Sequence, residues 1–340
     1  MEKIKESDSV SSSNADNATG TVTRGTGSRL MLLKALYDIA GIPSYFALVR
    51  SVGSPVQADS LVALYNSTHA TELVVETERG PAYVDAEDYV PFDFLSAEFQ
   101  NRQVIPLDPA KPGFVSRTDA IGDLRSDVTM HYDIAADGSA RAQAVENVRG
   151  MRGLKMRSFL DSNKNDDRRI QMVIQNMIAN SYGRIDLTKF EFPNLAQKQE
   201  PLHLDYDFDI AVFASNNGDT LHVPSRIFAY NLAAQYASLP PAERHYPLVL
   251  RSEAITQRTL SFVAPDGFAW DLSGIPDADI DSPFGRYHRH SEIRNGALVV
   301  QEDFQILPQR IEVSQYADFR AFCLALDEAQ RTVIAANKTE

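Results

Sequence analysis

The strongest constraint on the fold is a strict alternation of apolar and polar side chains over residues 202–212. A period of two residues is typical of a β-strand, because successive strand side chains point to opposite faces. The apolar positions are Leu202, Leu204, Tyr206, Phe208, Ile210 and Val212, and the polar positions are His203, Asp205, Asp207 and Asp209. Such a strand buries only one face, so the sequence predicts a sheet with a covering layer on that face.

Further strand patterns surround this segment. The dipeptides Asp137-Gly138 and Asn295-Gly296 favour tight turns between antiparallel strands. The other predicted strands of this region are 128–134, 140–148, 259–263, 285–293 and 297–304. Together they predict a β-rich domain over residues 115–340.

Helical periodicity interrupts this region and ends it. Residues 151–160 and 166–179 predict two inserted helices, and Asp166 and Asp167 suit the positive N-terminal end of the second. Residues 314–335 predict a C-terminal helix. Its predicted buried face consists of Tyr316, Phe319, Cys323, Leu326 and Val333. The predicted fold class is therefore α+β.

A smaller lobe is predicted over residues 25–114, after a polar segment, 1–24, that we expect to be a disordered lead-in. The lobe continues from its first helix into strands at 44–50, 73–77 and 82–85, with a short addition at 104–107. Prolines and a glycine in residues 108–113 predict the linker to the β-rich domain.

The lobe begins with a glycine turn, Gly25-Thr26-Gly27, that leads into a helix over residues 30–40. Gly41 and Pro43 are typical of the end of a helix. The apolar face predicted for this helix consists of Leu32, Leu33, Leu36, Ile39 and Ala40. A glycine turn before a helix can hold a phosphate, but no strand precedes it and the lysine of a P-loop is missing, which favours a flexible start to the helix.

The composition excludes several classes of function. The chain has 340 residues with 46 acidic and 33 basic side chains, and its net charge of -13 argues against nucleic acid or an anionic membrane as the main partner. A single cysteine excludes an intrachain disulfide and a multi-cysteine metal site. The sequence contains no apolar run long enough to span a membrane and no signal-peptide core.

Two clusters of polar side chains and the single cysteine are candidate sites, and each also has an ordinary structural interpretation. The polar side of residues 202–212 offers oxygen ligands for calcium, but a flat strand spreads them about 7 Å apart, which favours a solvated outer face. His288 and His290 share one strand face, as in zinc sites, but no nearby motif supplies further ligands. Cys323 is expected to be a small core residue. We therefore predict neither a metal nor a cofactor.

Two motifs indicate a family. Residues 26–43 contain Leu32-Leu33 and end in Ala40-Gly41-Ile42-Pro43, and the later hairpin ends in residues 83–88, Tyr-Val-Asp-Ala-Glu-Asp. The lobe thereby resembles the transglutaminase-like superfamily, the papain-related group with a Cys-His-Asp triad. In that family the cysteine turn precedes such a helix, and the hairpin ends in Trp-x-Asp-x-x-Asp. The β-rich region resembles the extension that follows such domains in large bacterial proteins of unknown function, in which a β-sandwich domain precedes the transglutaminase-like one.

The resemblance implies that the triad has been replaced. Counting back from the double leucine puts Thr26 at the cysteine position, and Glu72 falls at the histidine position, with His69 three residues earlier as an alternative. Only Asp85 matches its triad position. A hydroxyl is a far weaker nucleophile than a thiolate, and a carboxylate is a poor base for it unless burial raises the carboxyl pKa.

The resemblance therefore implies a non-catalytic binding or structural module within a larger bacterial protein. The family's lobe has helices before the nucleophile turn, so we expect either a truncated lobe or the C-terminal part of something larger. The expected partners of this module are a peptide or polysaccharide in a groove flanked by Thr26, Glu72 and Asp85, or neighbouring domains. One alternative is a hydrolase that uses Glu72 and Asp85 as a general acid-base pair. Another is a phosphate- or metal-binding regulator. The compartment stays open, with the cell envelope or periplasm expected if a secreted parent protein carries this chain.

Overall fold

The computed structural model describes residues 18–53, 69–85, 87, 89–110, 116–118, 124–224 and 230–339, with the backbone alone at 69–71 and 116–117. The chain divides into two compact units, Met1–Gly122 and Asp123–Glu340. Both units contain strands and helices, which confirms the predicted α+β class. The division falls after the predicted linker, because Ser116–Arg117 still pairs with a strand of the first unit.

The first unit is built on an antiparallel sheet in the order β3-β2-β1-β4-β5. Its elements are α1 (Ala18–Arg24), α2 (Arg29–Ile39), β1 (Ser44–Arg50), β2 (His69–Thr77), β3 (Gly80–Val84), β4 (Gln103–Pro106) and β5 (Ser116–Arg117). The strands predicted at 44–50, 73–77, 82–85 and 104–107 are all present within a few residues. The central strand β1 pairs with β2 along one edge and with β4 along the other.

Helix α2 covers one face of this sheet, and its predicted buried face is confirmed only in part: Leu32 is 7% exposed and Leu33 packs on the sheet. Leu30, Leu33 and Tyr37 pack on the cluster formed by Leu73, Val75 and Val84. Of the predicted stripe, Leu36 is 46% exposed and Ile39 is 84% exposed. Leucines lie on several sides of this short helix, so periodicity alone could not select the buried side.

Both ends of α2 follow from local chemistry. The Ser28 hydroxyl accepts a hydrogen bond from the Met31 backbone N–H at 3.2 Å, which caps the N-terminus. Gly41 has φ +69°, and the backbone N–H groups of Gly41 and Ile42 donate to carbonyls of the last turn. This is a Schellman motif, and it confirms the predicted end of the helix.

Helix α1 corrects the expectation of a disordered lead-in. Residues 18–24 form a helix, whereas residues 1–17 lie outside the described residues. Gly27 lies against α1, and a Cβ added there would come within 2.5 Å of the Thr21 hydroxyl oxygen. The close approach of these two segments therefore requires glycine at this position of the turn.

The second unit is built on an eight-stranded sheet in the order β15-β16-β17-β13-β6-β7-β9-β8. Its helices are α3 (Gly150–Ser162), α4 (Asp167–Tyr182), α5 (Leu232–Tyr236) and α6 (Tyr316–Ala329). Its strands are β6 (Ser126–Ile134), β7 (Ala140–Val148), β8 (Ile185–Glu191), β9 (Leu202–Ile210), β10 (Ser215–Asn216), β11 (Thr220–Val223), β12 (Leu248–Leu250), β13 (Ala254–Val263), β14 (Phe268–Asp271), β15 (Ala278–Ser282), β16 (Gly285–Arg294), β17 (Ala297–Ile306), β18 (Gln309–Ile311) and β19 (Ile334–Lys338).

The predicted hairpins and the strictly alternating strand are confirmed. Strands β6 and β7 pair through the Asp137-Gly138 turn, and β16 and β17 pair through Asn295-Gly296. Strand β9 pairs with β7 on one side and β8 on the other, and its apolar side chains are buried. The strand ends at Ile210, so Val212 lies outside it and is 72% exposed.

One face of the eight-stranded sheet, here called the inner face, carries the core of the second unit. Helices α3 and α4 contribute Leu160, Ile170 and Ile174 to its larger cluster, and a four-stranded sheet in the order β10-β11-β19-β14 contributes further residues such as Trp270. Helix α6 packs on a second cluster through residues that include Phe319. The inner face is thus covered by helices at both ends and by a second sheet.

The C-terminus corrects the predicted length of the last helix. Helix α6 ends at Ala329, and Ile334–Lys338 forms β19, which pairs with β11 and β14. Four residues of the predicted buried face are buried, but Val333 is 57% exposed because it lies outside the helix. Ile334 and Ala336 are both buried and lie two residues apart, which is the period of a strand. Backbone pairing of β19 with β11 and β14 outweighs any helical preference of this segment.

Candidate functional site

Two of the predicted site residues, Glu72 and Asp85, lie close together in the first unit. The β2-β3 ladder ends with the pair Leu73 and Val84, and Glu72 and Asp85 are the next residues along the two chain segments. On its other side, Glu72 pairs with Ala47 of β1. The charge of Asp85 acts on the Glu72 carboxyl, so the two carboxyl groups are neighbours.

The Glu72 carboxyl lies in an environment that disfavours its charge. The residue is 8% exposed. Burial, followed by the charge of Asp85, raises the pKa of Glu72 from 4.5 to about 8. Asp85 is more exposed, and its carboxylate accepts a hydrogen bond from the Glu87 backbone N–H at 2.9 Å. At neutral pH the Glu72 carboxyl is therefore mostly protonated.

Thr26 lies at the start of α2, next to Gly27 and Ser28, and its side chain is exposed. Helix α2 packs on the sheet face that carries Leu73 and Val75. Because side chains alternate along a strand, Glu72 shares the opposite face with Val74 and Ala47. The placement of Thr26 beside the two carboxyl groups in one groove stays a prediction.

The alternative base, His69, begins strand β2 and pairs through its backbone with Arg50. Its side chain lies outside the described residues, as do Ala86 and Asp88 of the hairpin motif.

The single cysteine lies in the second unit, on the buried side of α6. Burial, and then the charge of Asp327, raises the pKa of the Cys323 thiol to about 12. A thiol with this pKa is protonated at neutral pH and is a weak nucleophile.

We expect the Cys323 thiol to resist alkylation in the native chain. With iodoacetamide at pH 8, mass spectrometry should detect unmodified native protein after a time in which the denatured chain is fully alkylated. The physical reason is that both burial and the raised pKa suppress the reactive thiolate. Rapid alkylation of the native chain would show that this thiol is accessible and ionised.

The polar side of β9 carries histidine and carboxylates that have partners. Lys189 binds Asp205 at 2.8 Å, and Arg141 lies 3.8 Å from Asp207. The His203 ring lies 3.0 Å from the Asn147 side chain. The expected solvated outer face is therefore also a network across neighbouring strands.

His288 and His290 share the outer face of β16, and each has its own carboxylate. His290 contacts Asp277 at 2.9 Å. The His288 ring lies between Asp279 on one nitrogen and Asp281, 3.6 Å away, on the other. Among the described residues, these two aspartates and His288 bring ligand atoms within 4.8 Å of one another. The two carboxylates approach different ring nitrogens of His288, so the ring lies between them.

A buried polar network on the inner face was not predicted. Arg258 binds Glu302 at 2.5 Å, Tyr287 donates to the same glutamate, and the Arg258 guanidinium lies 4.6 Å from the centre of the Tyr230 ring. The sequence signal was present: Arg258 and Glu302 occupy inward positions of strands whose other inward positions, such as Leu260, are apolar.

Comparison with known proteins gives two matches. Residues 221–336 match the family model of a domain of unknown function with a solved structure, DUF3858. The matched segment begins in β11 and ends in β19, and its end residues Leu221 and Ala336 pair directly. The matched residues therefore all lie in the second unit. No curated protein matches the chain.

Among solved structures, the chain is similar to a crystal structure from Parabacteroides distasonis described as a "putative protease". The TM-score is 0.48 with 12% sequence identity, and the match covers 94% of this chain and 46% of the other. The chain thus spans less than half the length of that protein. None of the described helices is both long and apolar enough to cross a membrane.

Proposed function

We propose that the first unit is a non-catalytic transglutaminase-like module that binds a peptide or polysaccharide, or neighbouring domains, within a larger bacterial protein. Thr26 and Glu72 stand at the positions that the resemblance assigns to the cysteine and histidine of a triad. The proposal depends on the chemistry of these replacements.

The missing thiol is the observation that carries the proposal. Thr26 stands at the nucleophile position, and the single cysteine of the chain, Cys323, is buried in the second unit. Burial raises the pKa of Glu72 to about 8, which suits a general base, but no thiol stands at the position on which that base would act. Glu72, and not a histidine, stands at the position of the triad histidine. A protonated carboxyl beside a carboxylate is nevertheless suited to hydrogen bonding with amide or hydroxyl groups of a ligand.

A second function, acid-base hydrolysis of glycans, is favoured by the same pair. A carboxyl that stays protonated near neutral pH beside a carboxylate is the arrangement in which one group serves as general acid and the other as base or nucleophile. This function requires the two carboxyl groups to lie about 5 to 9.5 Å apart.

One panel of experiments separates the two functions. Wild-type chain and the variants Glu72→Gln, Asp85→Asn and Glu78→Gln are tested on peptide and glycan arrays and in a screen for hydrolase and amide-transfer activity. Glu78 lies in the exposed turn between β2 and β3, so its variant is the matched control.

For the binding module we expect no turnover. We expect retention of an array ligand that Asp85→Asn weakens by about three- to tenfold, the usual worth of a hydrogen bond to a charged group. Turnover by the wild type and the control that is lost in Glu72→Gln would reverse the order of the two functions. An array with no retained ligand would leave only the interaction with neighbouring domains.

A further inference from the structure

The outer face of strands β15 and β16 brings a histidine and two aspartates together. In the β15-β16 ladder His288 lies directly opposite Asp279, and Asp281 lies two residues further along β15 on the same face. The side chains of Asp279 and Asp281 are 81% and 73% exposed, so solvent reaches both carboxylates. Backbone pairing, and not a mobile loop, therefore decides which of these side chains meet.

The His288 ring is held at one of its two nitrogens. Its Nδ1 contacts the Asp279 carboxylate. Because a carboxylate only accepts hydrogen bonds, this contact places the ring proton on Nδ1 and the lone pair of the neutral imidazole on Nε2. Histidines that bind metal ions have this arrangement, in which a carboxylate holds the nitrogen that faces away from the metal.

The position of Asp281 relative to Nε2 fits a shared ion. The Asp281 Oδ1 atom lies 3.6 Å from His288 Nε2, which is too long for a hydrogen bond. Two ligands of one tetrahedral ion with bonds of about 2.0–2.2 Å lie about 3.3–3.6 Å apart. An ion between these two atoms would therefore reach both at bond length without movement of the strands.

The surroundings of His288 are rich in further ligand atoms. His288 and Asp279 line an open concavity of about 510 Å³, and the other polar side chains that line it include His290, Asp277 and Asp303. His290 repeats the arrangement of His288, since its Nδ1 lies 2.9 Å from the Asp277 carboxylate. A mixture of imidazole and carboxylate ligands suits Zn²⁺ and similar transition metals, whereas Ca²⁺ and Mg²⁺ prefer oxygen ligands alone.

We propose that His288, through Nε2, and Asp281 bind a divalent transition-metal ion such as Zn²⁺, with Asp279 as the residue that positions the ring and water completing the coordination. The site lies entirely in the second unit and is independent of the function proposed for Glu72 and Asp85.

Titration of the full chain with Zn²⁺ tests the proposal, followed by calorimetry and by proton–nitrogen NMR of the imidazole rings. We expect saturable binding that shifts the His288 Nε2 resonance and leaves Nδ1 protonated. An excess of Ca²⁺ should not displace the Zn²⁺, because the site includes an imidazole. Binding of Zn²⁺ at Nδ1, or a His288 ring that does not respond to Zn²⁺, would overturn the proposal.

Variants separate the two ligands from the positioning residue. His288→Gln should abolish this binding, and Asp281→Asn should weaken it by about tenfold or more. Asp279→Ala should weaken it by about 10- to 100-fold and release the ring from the tautomer with the proton on Nδ1, whereas Asp279→Asn should recover much of the affinity because its amide oxygen still accepts from Nδ1.

The matched control is His131→Gln. His131 lies on β6 of the same sheet, and its ring contacts Asp133 at 3.2 Å, so this variant removes an exposed histidine with one carboxylate partner. It should leave both the affinity for Zn²⁺ and the response of His288 unchanged. Affinity that is unchanged in His288→Gln or in Asp281→Asn would show that the histidine and the aspartates form only an ion pair.

Discussion

The Glu72→Gln variant is expected to be more stable than the wild-type chain at pH 7, by about 3 kcal/mol in the free energy of unfolding of the first unit. Glutamine keeps the size of the side chain and cannot ionise. It therefore removes both the desolvation of a buried carboxylate and its repulsion by Asp85, which together raise the pKa of Glu72 from 4.5 to about 8.

The sign of the pH dependence follows from the two states. Below pH 4.5 the carboxyl is protonated whether the chain is folded or unfolded, so Glu72 does not affect the balance. Between pH 4.5 and about 8 the unfolded chain loses the proton and the folded chain keeps it. The free energy of unfolding therefore falls as pH rises through this window, by up to about 1.4 kcal/mol per pH unit, and levels off above it.

Calorimetry of the full chain between pH 5 and pH 8 tests this result, with carbon NMR of the labelled carboxyl groups to titrate Glu72 directly. In Glu72→Gln the contribution of this residue to the pH dependence should disappear, whereas Glu78→Gln in the exposed turn should follow the wild type. A Glu72→Gln variant that is less stable than the wild type at every pH would indicate that the ionised carboxylate is stabilised by a partner.

The second large effect is expected at the buried ion pair of the second unit. Removing the glutamate in Glu302→Leu should lower the free energy of unfolding by about 3–5 kcal/mol, because Arg258 then keeps a buried charge without its partner. The Glu302 side chain is 0% exposed, and Tyr287 loses its acceptor in the same variant. The loss should be seen in urea unfolding followed by the fluorescence of Trp270, which is buried in the same unit.

Two further variants separate the ion pair from ordinary packing. The double variant Arg258→Met with Glu302→Leu should recover most of the loss, since apolar side chains of similar volume often replace a buried ion pair without cost. Glu328→Ala, which removes an exposed ion pair with Arg331, should change stability by less than about 1 kcal/mol. A double variant that is as unstable as Glu302→Leu alone would mean that the pair contributes through packing and not through charge.

The candidate site was partly accessible from the sequence. The hairpin pattern and the family resemblance selected Glu72 and Asp85, which follow the last pair of the β2-β3 ladder. The size of the pKa shift of Glu72 was not predictable, because it depends on burial by β1 and by loop residues distant in the sequence. A cavity on the inner face of the second unit was not predicted either, because its lining comes from strands and helices spread over residues 128–258.

Local order was determined by the sequence alone. Alternation fixed the strands, the Asp-Gly and Asn-Gly dipeptides fixed two hairpins, and Ser28 and Gly41 fixed the ends of α2. Each of these depends on backbone geometry and hydrogen bonds within a few residues.

Only the tertiary structure decided which stripe of α2 is buried, that residues 334–338 form a strand, and that Arg258 meets Glu302. The physical reason is that burial, desolvation and Coulomb interactions are properties of groups brought together from distant parts of the chain. Periodicity predicts that a side chain is buried, whereas the residues that bury it depend on the fold as a whole.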